Sequence, residues 1–165
     1  MEDRASRFEE VAAALGHGFE GEIRIGGNYS PVIRHENVAY VSGQVPRVGN
    51  VVVVTGRVGA EVAIEPARRA AKICAMRALA LLARELGSLD RVRQLLRITV
   101  YVQCDAAFTQ QSEVADAASD LLRYVLGPAG THTRTSVGVL QLPKNASVEL
   151  DLIAAVDSID TGTAA

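Results

Sequence analysis

Between Ile64 and Gly87 the apolar side chains return every three or four positions. Ala67, Ala70, Ala71, Cys74, Ala78, Leu81, Leu82 and Leu86 make one stripe, and Gly87 stands where a C-cap would close the helix. The same period predicts a helix over 112–126, with Ser112 as cap, Val114, Ala117, Ala118, Leu121, Leu122 and Val125 as inner face, and Gly127-Pro128 as terminator. A shorter stripe, Phe8, Val11, Ala12 and Leu15, predicts a helix over 5–15 with Ser6 at its N-cap and Glu9 three residues on. Elsewhere the period falls to two. "NVAYVSGQVP" alternates until Gly43 and Pro46 and reads as a strand, with "VVVVTGRVG" after Gly49-Asn50 as its hairpin partner. "LLRITVYVQC" at 95–104 is β-branched and almost continuously apolar, the pattern of a buried strand. "TRTSVGVLQLPKNASVELDLIAAV" at 133–156 reads as two strands joined by a turn at Leu142-Pro143-Lys144-Asn145.

The order helix, hairpin, long helix, strand, helix, two strands implies an α+β domain of two layers, with two striped helices packed on one face of a sheet. On the last strand Val148, Leu150, Leu152 and Ala154 point toward the helices and Ser147, Glu149 and Asp151 away from them. On the strand before it Arg134, Ser136 and Gly138 share a face. Arg134 and Glu149 are expected to meet on one polar side of neighbouring strands. The rest of that sheet face is apolar, which points to contact with another subunit.

The chain's 165 residues suffice for one domain with its own core. With a net charge of -2 and no basic block, a nucleic-acid partner is not expected. Cys74 and Cys104 lie far apart without a CxxC, so neither a disulfide framework nor a zinc site is signalled, and both read as buried thiols. His17, His35 and His132 are expected in solvent rather than as ligands. No segment resembles a signal peptide or a membrane span, so a cytoplasmic protein without membrane contact is expected. Residues 1–27 read as an N-terminal helical extension, 28–157 as the main domain and 158–165, "SIDTGTAA", as a disordered tail.

Two segments carry chemistry. "YVSGQVP" at 40–46, with Tyr29 thirteen positions before Ser42, and "RTSVGVLQLPKNASVELDLIAAV" at 134–156, with fifteen positions from Arg134 to Glu149, closely resemble the signature segments of the Rid (YjgF) family, the reactive-intermediate deaminases. The resemblance implies a chorismate-mutase-like protomer with a mixed sheet, assembled as a homotrimer with clefts at the subunit boundaries. It also implies hydrolysis of 2-imino acids and their enamine tautomers, such as 2-aminoacrylate, to 2-keto acids and ammonia without cofactor or metal. Carried over by position, Arg134 would bind the substrate carboxylate and Glu149 would activate water. Tyr29 and Ser42 would line the cleft, and Gly43 and Ser136 would offer backbone hydrogen bonds. The chain departs from the family pattern at Ser136, where a cysteine is common, and at Asp116, where an asparagine is common.

The chemistry agrees with those roles. A guanidinium matches a carboxylate with two parallel donors. An imine carbon is already electrophilic, so its hydrolysis asks for positioning and one base. Taken singly, Arg134 and Glu149 would be solvated strand charges, Tyr29 a loop residue over the core edge, and Ser42-Gly43 turn chemistry. Two other functions stay open: a trimer that binds a small carboxylate without turning it over, and an endoribonuclease or translation inhibitor. The last is disfavoured by the acidic balance and by an aromatic content of 4%.

Overall fold

The computed structural model describes residues 3–158. In chain order the elements are α1 (Arg4–Leu15), β1 (Val32–His35), β2 (Val38–Gln44), β3 (Arg47–Val48), β4 (Val51–Val52), α2 (Ile64–Leu86), β5 (Val92–Gln103), α3 (Gln111–Leu126), β6 (Thr133–Val139) and β7 (Val148–Val156). Five strands form one mixed sheet in the order β1-β2-β7-β5-β6, in which β5 and β6 are parallel and the other neighbours antiparallel. Helices α2 and α3 cover one face, giving the expected two-layer α+β architecture. Their stripes hold as read, from Ala67 to Leu86 and from Val114 to Val125, and Gly87 closes α2 in the left-handed region at φ 81°.

Two expected pairings are overturned. β6 and β7 do not form a hairpin, because β5 lies between them and pairs with both. The helical crossover through α3 delivers β6 parallel to β5, as an αβ connection requires. The eight residues 140–147 then reach over β5 to start β7, a span of about 10 Å at ordinary strand spacing. Nor is 51–59 the partner of β2. Arg47–Val48 and Val51–Val52 make a small separate ribbon, and β2 pairs with β1 on one side and β7 on the other. The β1–β2 turn is the Glu36-Asn37 pair, with Glu36 at φ 52°, and strand β1 is only four residues long.

The helix caps also differ from expectation. Asp3, not Ser6, caps α1, its Oδ1 accepting from Ser6 N at 2.7 Å, and α3 starts at Gln111 after a Gln110 cap without a side-chain bond. Helix α1 packs against α2 and α3, with Phe8 and Ala12 in the core and the Phe8 ring edge-on to Phe19 at 6.2 Å. The N-terminal extension therefore covers the helical layer. Of the expected tail, residues 159–165 lie outside the described residues. Among the described residues no helix is long and apolar enough to cross a membrane.

Candidate functional site

Residues opposite one another in a sheet point to the same face, and successive residues alternate. Arg134 lies opposite Ile98, which is fully buried under the helices, whereas Glu149 lies opposite Tyr101, three residues further along β5. The two charges therefore occupy opposite faces of the sheet, with β5 between their strands. The expectation that they meet on one side is overturned within a single chain. The cause is β5: it separates the two strands and the odd offset along it reverses the face.

Glu149 stands on the open face at one end of the sheet. Strand β2 bulges there: Val41 pairs with Leu152 and Gln44 with Leu150, so Ser42 and Gly43 together face Asp151. The extra residue turns Gln44 into the helical layer and brings Gly43 against the Glu149 carboxylate. A methyl group at Gly43 would overlap Oε1 of Glu149 and lie 2.8 Å from its Cδ. Gly43 does not have a positive φ, so glycine is required here by the close approach rather than by turn chemistry. Burial, and then the nearby Asp151 carboxylate, raise the Glu149 pKa above its ordinary value. Asp151 itself accepts a hydrogen bond from Tyr101 Oη at 3.0 Å.

Glu149, Gly43 and Tyr29 line one cavity of about 180 Å³ with Arg24, Gln44, Arg47, Arg77, Pro143 and Lys144. Ser42 is not part of that lining; its hydroxyl accepts from Gln44 Nε2 at 3.3 Å. Arg77 is a charge inside the apolar stripe of α2, only 5% exposed. Its Nε donates to Gln44 Oε1 at 3.2 Å, and its two Nη atoms to the Arg47 and Arg24 carbonyls, each at 2.9 Å. It ties the bulge, the ribbon and the N-terminal segment together at the cavity wall. The Pro143–Asn145 turn forms the rim, with Lys144 and Asn145 both in the left-handed region. It is fixed by the fully buried Gln103, whose Oε1 accepts from Leu142 N at 2.7 Å and whose Nε2 donates to Asn145 Oδ1 at 2.6 Å.

Arg134, Ser136 and Asp116 gather at the other edge, between β6 and α3. Arg134 Nη1 donates to Asp116 Oδ1 at 2.8 Å and to Ser119 Oγ at 3.0 Å, and Nη2 approaches the Ser112 carbonyl at 3.4 Å. Ser119 also bonds His132 Nε2 at 2.9 Å, while His132 Nδ1 lies 2.6 Å from the Gly130 carbonyl. His132 is thus half-buried, with burial holding its pKa down, instead of standing in solvent as expected. His17 is also partly buried, 2.8 Å from Arg69 Nη2, whereas His35 is exposed. Ser136 follows Arg134 on the same side of β6, and beyond it Gly138 lines an open cleft of about 810 Å³ with Arg57, Cys104, Phe108, Gln111 and Leu140. Cys104 is half-buried there, while Cys74 is core as expected.

One chain therefore carries two separate clusters, Tyr29–Gly43–Glu149 and Arg134–Ser136–Asp116. Sequence reasoning missed Arg24, Arg47, Arg77 and Lys144. Only Arg77 left a signal, as a charged residue inside a helical stripe that is otherwise buried. Among the described residues no cluster of three His, Cys, Asp or Glu side chains is placed to hold a metal ion.

Similarity to known proteins matches this architecture. The family described as YjgF/chorismate mutase-like, provisionally endoribonucleases, matches residues 6–156. The protein TCP17 of Trypanosoma cruzi is 38% identical over 127 residues, covering 76% of this chain and 79% of the relative. Among solved structures, Atu1372 of Agrobacterium tumefaciens, a protein of unknown function, superposes with a TM-score of 0.83 at 36% identity, covering 93% of this chain and 95% of that one. A Shewanella oneidensis protein provisionally described as an endoribonuclease superposes with a TM-score of 0.85 at 25% identity, covering 94% and 100%. The fold, the two signature segments and a match over nearly the whole chain lead to one conclusion: this chain belongs to the YjgF/chorismate mutase-like family.

Proposed function

We propose that this protein hydrolyses reactive 2-imino acids and their enamine tautomers to 2-keto acids and ammonia, at clefts shared between copies of a trimer. One observation carries the reading. Arg134 and Glu149 occupy opposite faces of the sheet, so a small substrate can touch both only where two copies meet. The open face offers a surface for that meeting, since Ile33, Tyr40 and Val137 are large, apolar and exposed on it.

In this reading Arg134 of one copy holds the substrate carboxylate, and Glu149 of the next faces the imine carbon. The Glu149 carboxylate takes a proton from water as the water oxygen adds to that carbon. Glu149 passes that proton to nitrogen, giving a carbinolamine; it then takes the proton of the new hydroxyl and delivers it to the amino group as the C–N bond breaks, leaving a carbonyl and ammonia. A partly desolvated carboxylate with a raised pKa suits a base near neutral pH better than an exposed one. A binding trimer without turnover is the second reading; in either reading a ligand carboxylate must compete with Asp116, which is ion-paired to Arg134. The endoribonuclease description has less support, given the net charge of -2 and the 4% aromatic content.

The test is complementation between subunits. Arg134→Ala and Glu149→Gln are each expected to abolish imine hydrolysis, measured with 2-imino acids made in situ by an amino-acid oxidase and trapped by semicarbazide. Co-expressed in equal amounts, the two variants regenerate about a quarter of the clefts if copies mix at random around a closed ring. No recovery from assembled mixed trimers would sink the shared site. Full activity in both single variants would sink the roles of Arg134 and Glu149, and no imine hydrolysis by the wild type would sink the deaminase itself.

A further inference from the structure

We propose that the Glu149 cavity binds a second anionic group, so that the substrate is an imino acid carrying a carboxylate or phosphate beyond the carboxylate held by Arg134. This rests on the reading in which Arg134 and Glu149 serve one ligand. The observation is an imbalance of charge. Arg24, Arg47, Arg77 and Lys144 line the cavity, and Glu149 is its sole lining carboxylate. None of the four cations forms an ion pair among the described residues. Arg77 is buried, and its recorded acceptors are two carbonyls and an amide oxygen, all neutral. A desolvated guanidinium without a counter-ion is unfavourable, and an anion in the cavity relieves it.

Two further details point the same way. Arg47, one of the lining residues, has its Nε buried without a hydrogen-bond partner. Lys144 sits at φ 57°, in a turn pinned by Gln103 and by Gly56 N donating to the Asn145 carbonyl at 2.9 Å. That pinning fixes the backbone from which the exposed Lys144 side chain reaches the cavity rim. The volume limits the ligand to something small: 180 Å³ is about six waters' worth of liquid.

The probes are the product-like keto acids 2-oxobutanoate, with one carboxylate, 2-oxoglutarate, with two, and 3-phosphooxypyruvate, with a carboxylate and a phosphate. Each is titrated calorimetrically into the full-length protein. At least one doubly anionic acid is expected to bind about tenfold or more tightly than 2-oxobutanoate, and the tighter of the two identifies the second group. Arg47→Gln is expected to cut that preference to about threefold or less. If Arg47→Gln misfolds by circular dichroism, exposed Lys144→Gln carries the same expectation. Equal affinity for all three acids, or a preference that survives Arg47→Gln and Lys144→Gln together, overturns the inference. Binding needs no turnover, so the two readings fail separately. A protein that prefers the dianions but hydrolyses no imine loses the deaminase and keeps the anion subsite. One that hydrolyses neutral imines and binds all three acids alike loses only the subsite.

Discussion

Gly43→Ala separates the position of Glu149 from the integrity of the fold. The added methyl would overlap Glu149 Oε1, with Cδ 2.8 Å and Cγ 3.2 Å away. These contacts are with the far end of one flexible side chain, so the carboxylate swings aside and the backbone stays. Rotating it away costs about 0.5–1.5 kcal/mol at an off-rotamer angle. Since Gly43 lacks a positive φ, alanine fits the backbone and recovers about 0.4–1 kcal/mol by restricting the unfolded chain. Stability should stay within about 1 kcal/mol of wild type, a shift in Tm of roughly 2–4 °C. Catalysis should not survive so well. A positioned general base contributes about 10²–10⁴-fold, and misplacing a reacting group by an ångström loses about 10²-fold. The expected result is a fall in kcat of about 100-fold or more in the semicarbazide assay, beside a nearly unchanged melting curve by circular dichroism. Wild-type kcat in a folded Gly43→Ala protein would refute the role of Glu149 as base. A loss of Tm beyond about 10 °C would refute the claim that the carboxylate can move aside.

Three more outcomes are expected. Asp116→Asn frees Arg134 from an ion pair at 2.8 Å in which Asp116 is 51% exposed; pairs this exposed are worth about 1 kcal/mol at most, so 2-oxobutanoate should bind up to about fivefold more tightly, and weaker binding by calorimetry would mean that Asp116 positions the guanidinium instead. Arg134→Lys keeps the charge but loses the paired donors, so kcat/KM should fall about tenfold or more, whereas unchanged kinetics would reduce Arg134 to a point charge. The acidic limb of the kcat/KM profile should lie above the ordinary range of a glutamate, because burial and Asp151 hold the Glu149 proton. By linkage, the native state keeps that proton where the unfolded chain has lost it, so stability falls as pH rises from the ordinary glutamate value through the raised one. Urea midpoints for Glu149→Gln should lack that fall; identical pH dependence in both proteins would contradict the raised pKa.

The chain's own pattern determines its elements and its family. The stripes of α2 and α3 are local, since a period of 3.6 buries the same residues whichever sheet lies beneath. The two signature segments are local as well, with spacings that name Arg134, Glu149, Gly43 and Tyr29 directly. Strand neighbours are another matter, because pairing is a contest among distant segments that no single segment records. The 133–156 stretch looks like a hairpin because its two strands are consecutive, yet β5, at twelve residues the longest strand and with Leu95, Ile98, Val100 and Val102 buried, is the segment that gains most from a partner on each side. It takes the place between β6 and β7. That one insertion puts Arg134 and Glu149 on opposite faces, which is why the proposed site draws on more than one copy. The cationic wall around Glu149 likewise exists only in three dimensions. Arg24, Arg47, Arg77 and Lys144 come from four separate elements, and the bulge at Ser42-Gly43 and the turn held by Gln103 are what bring them to one cavity.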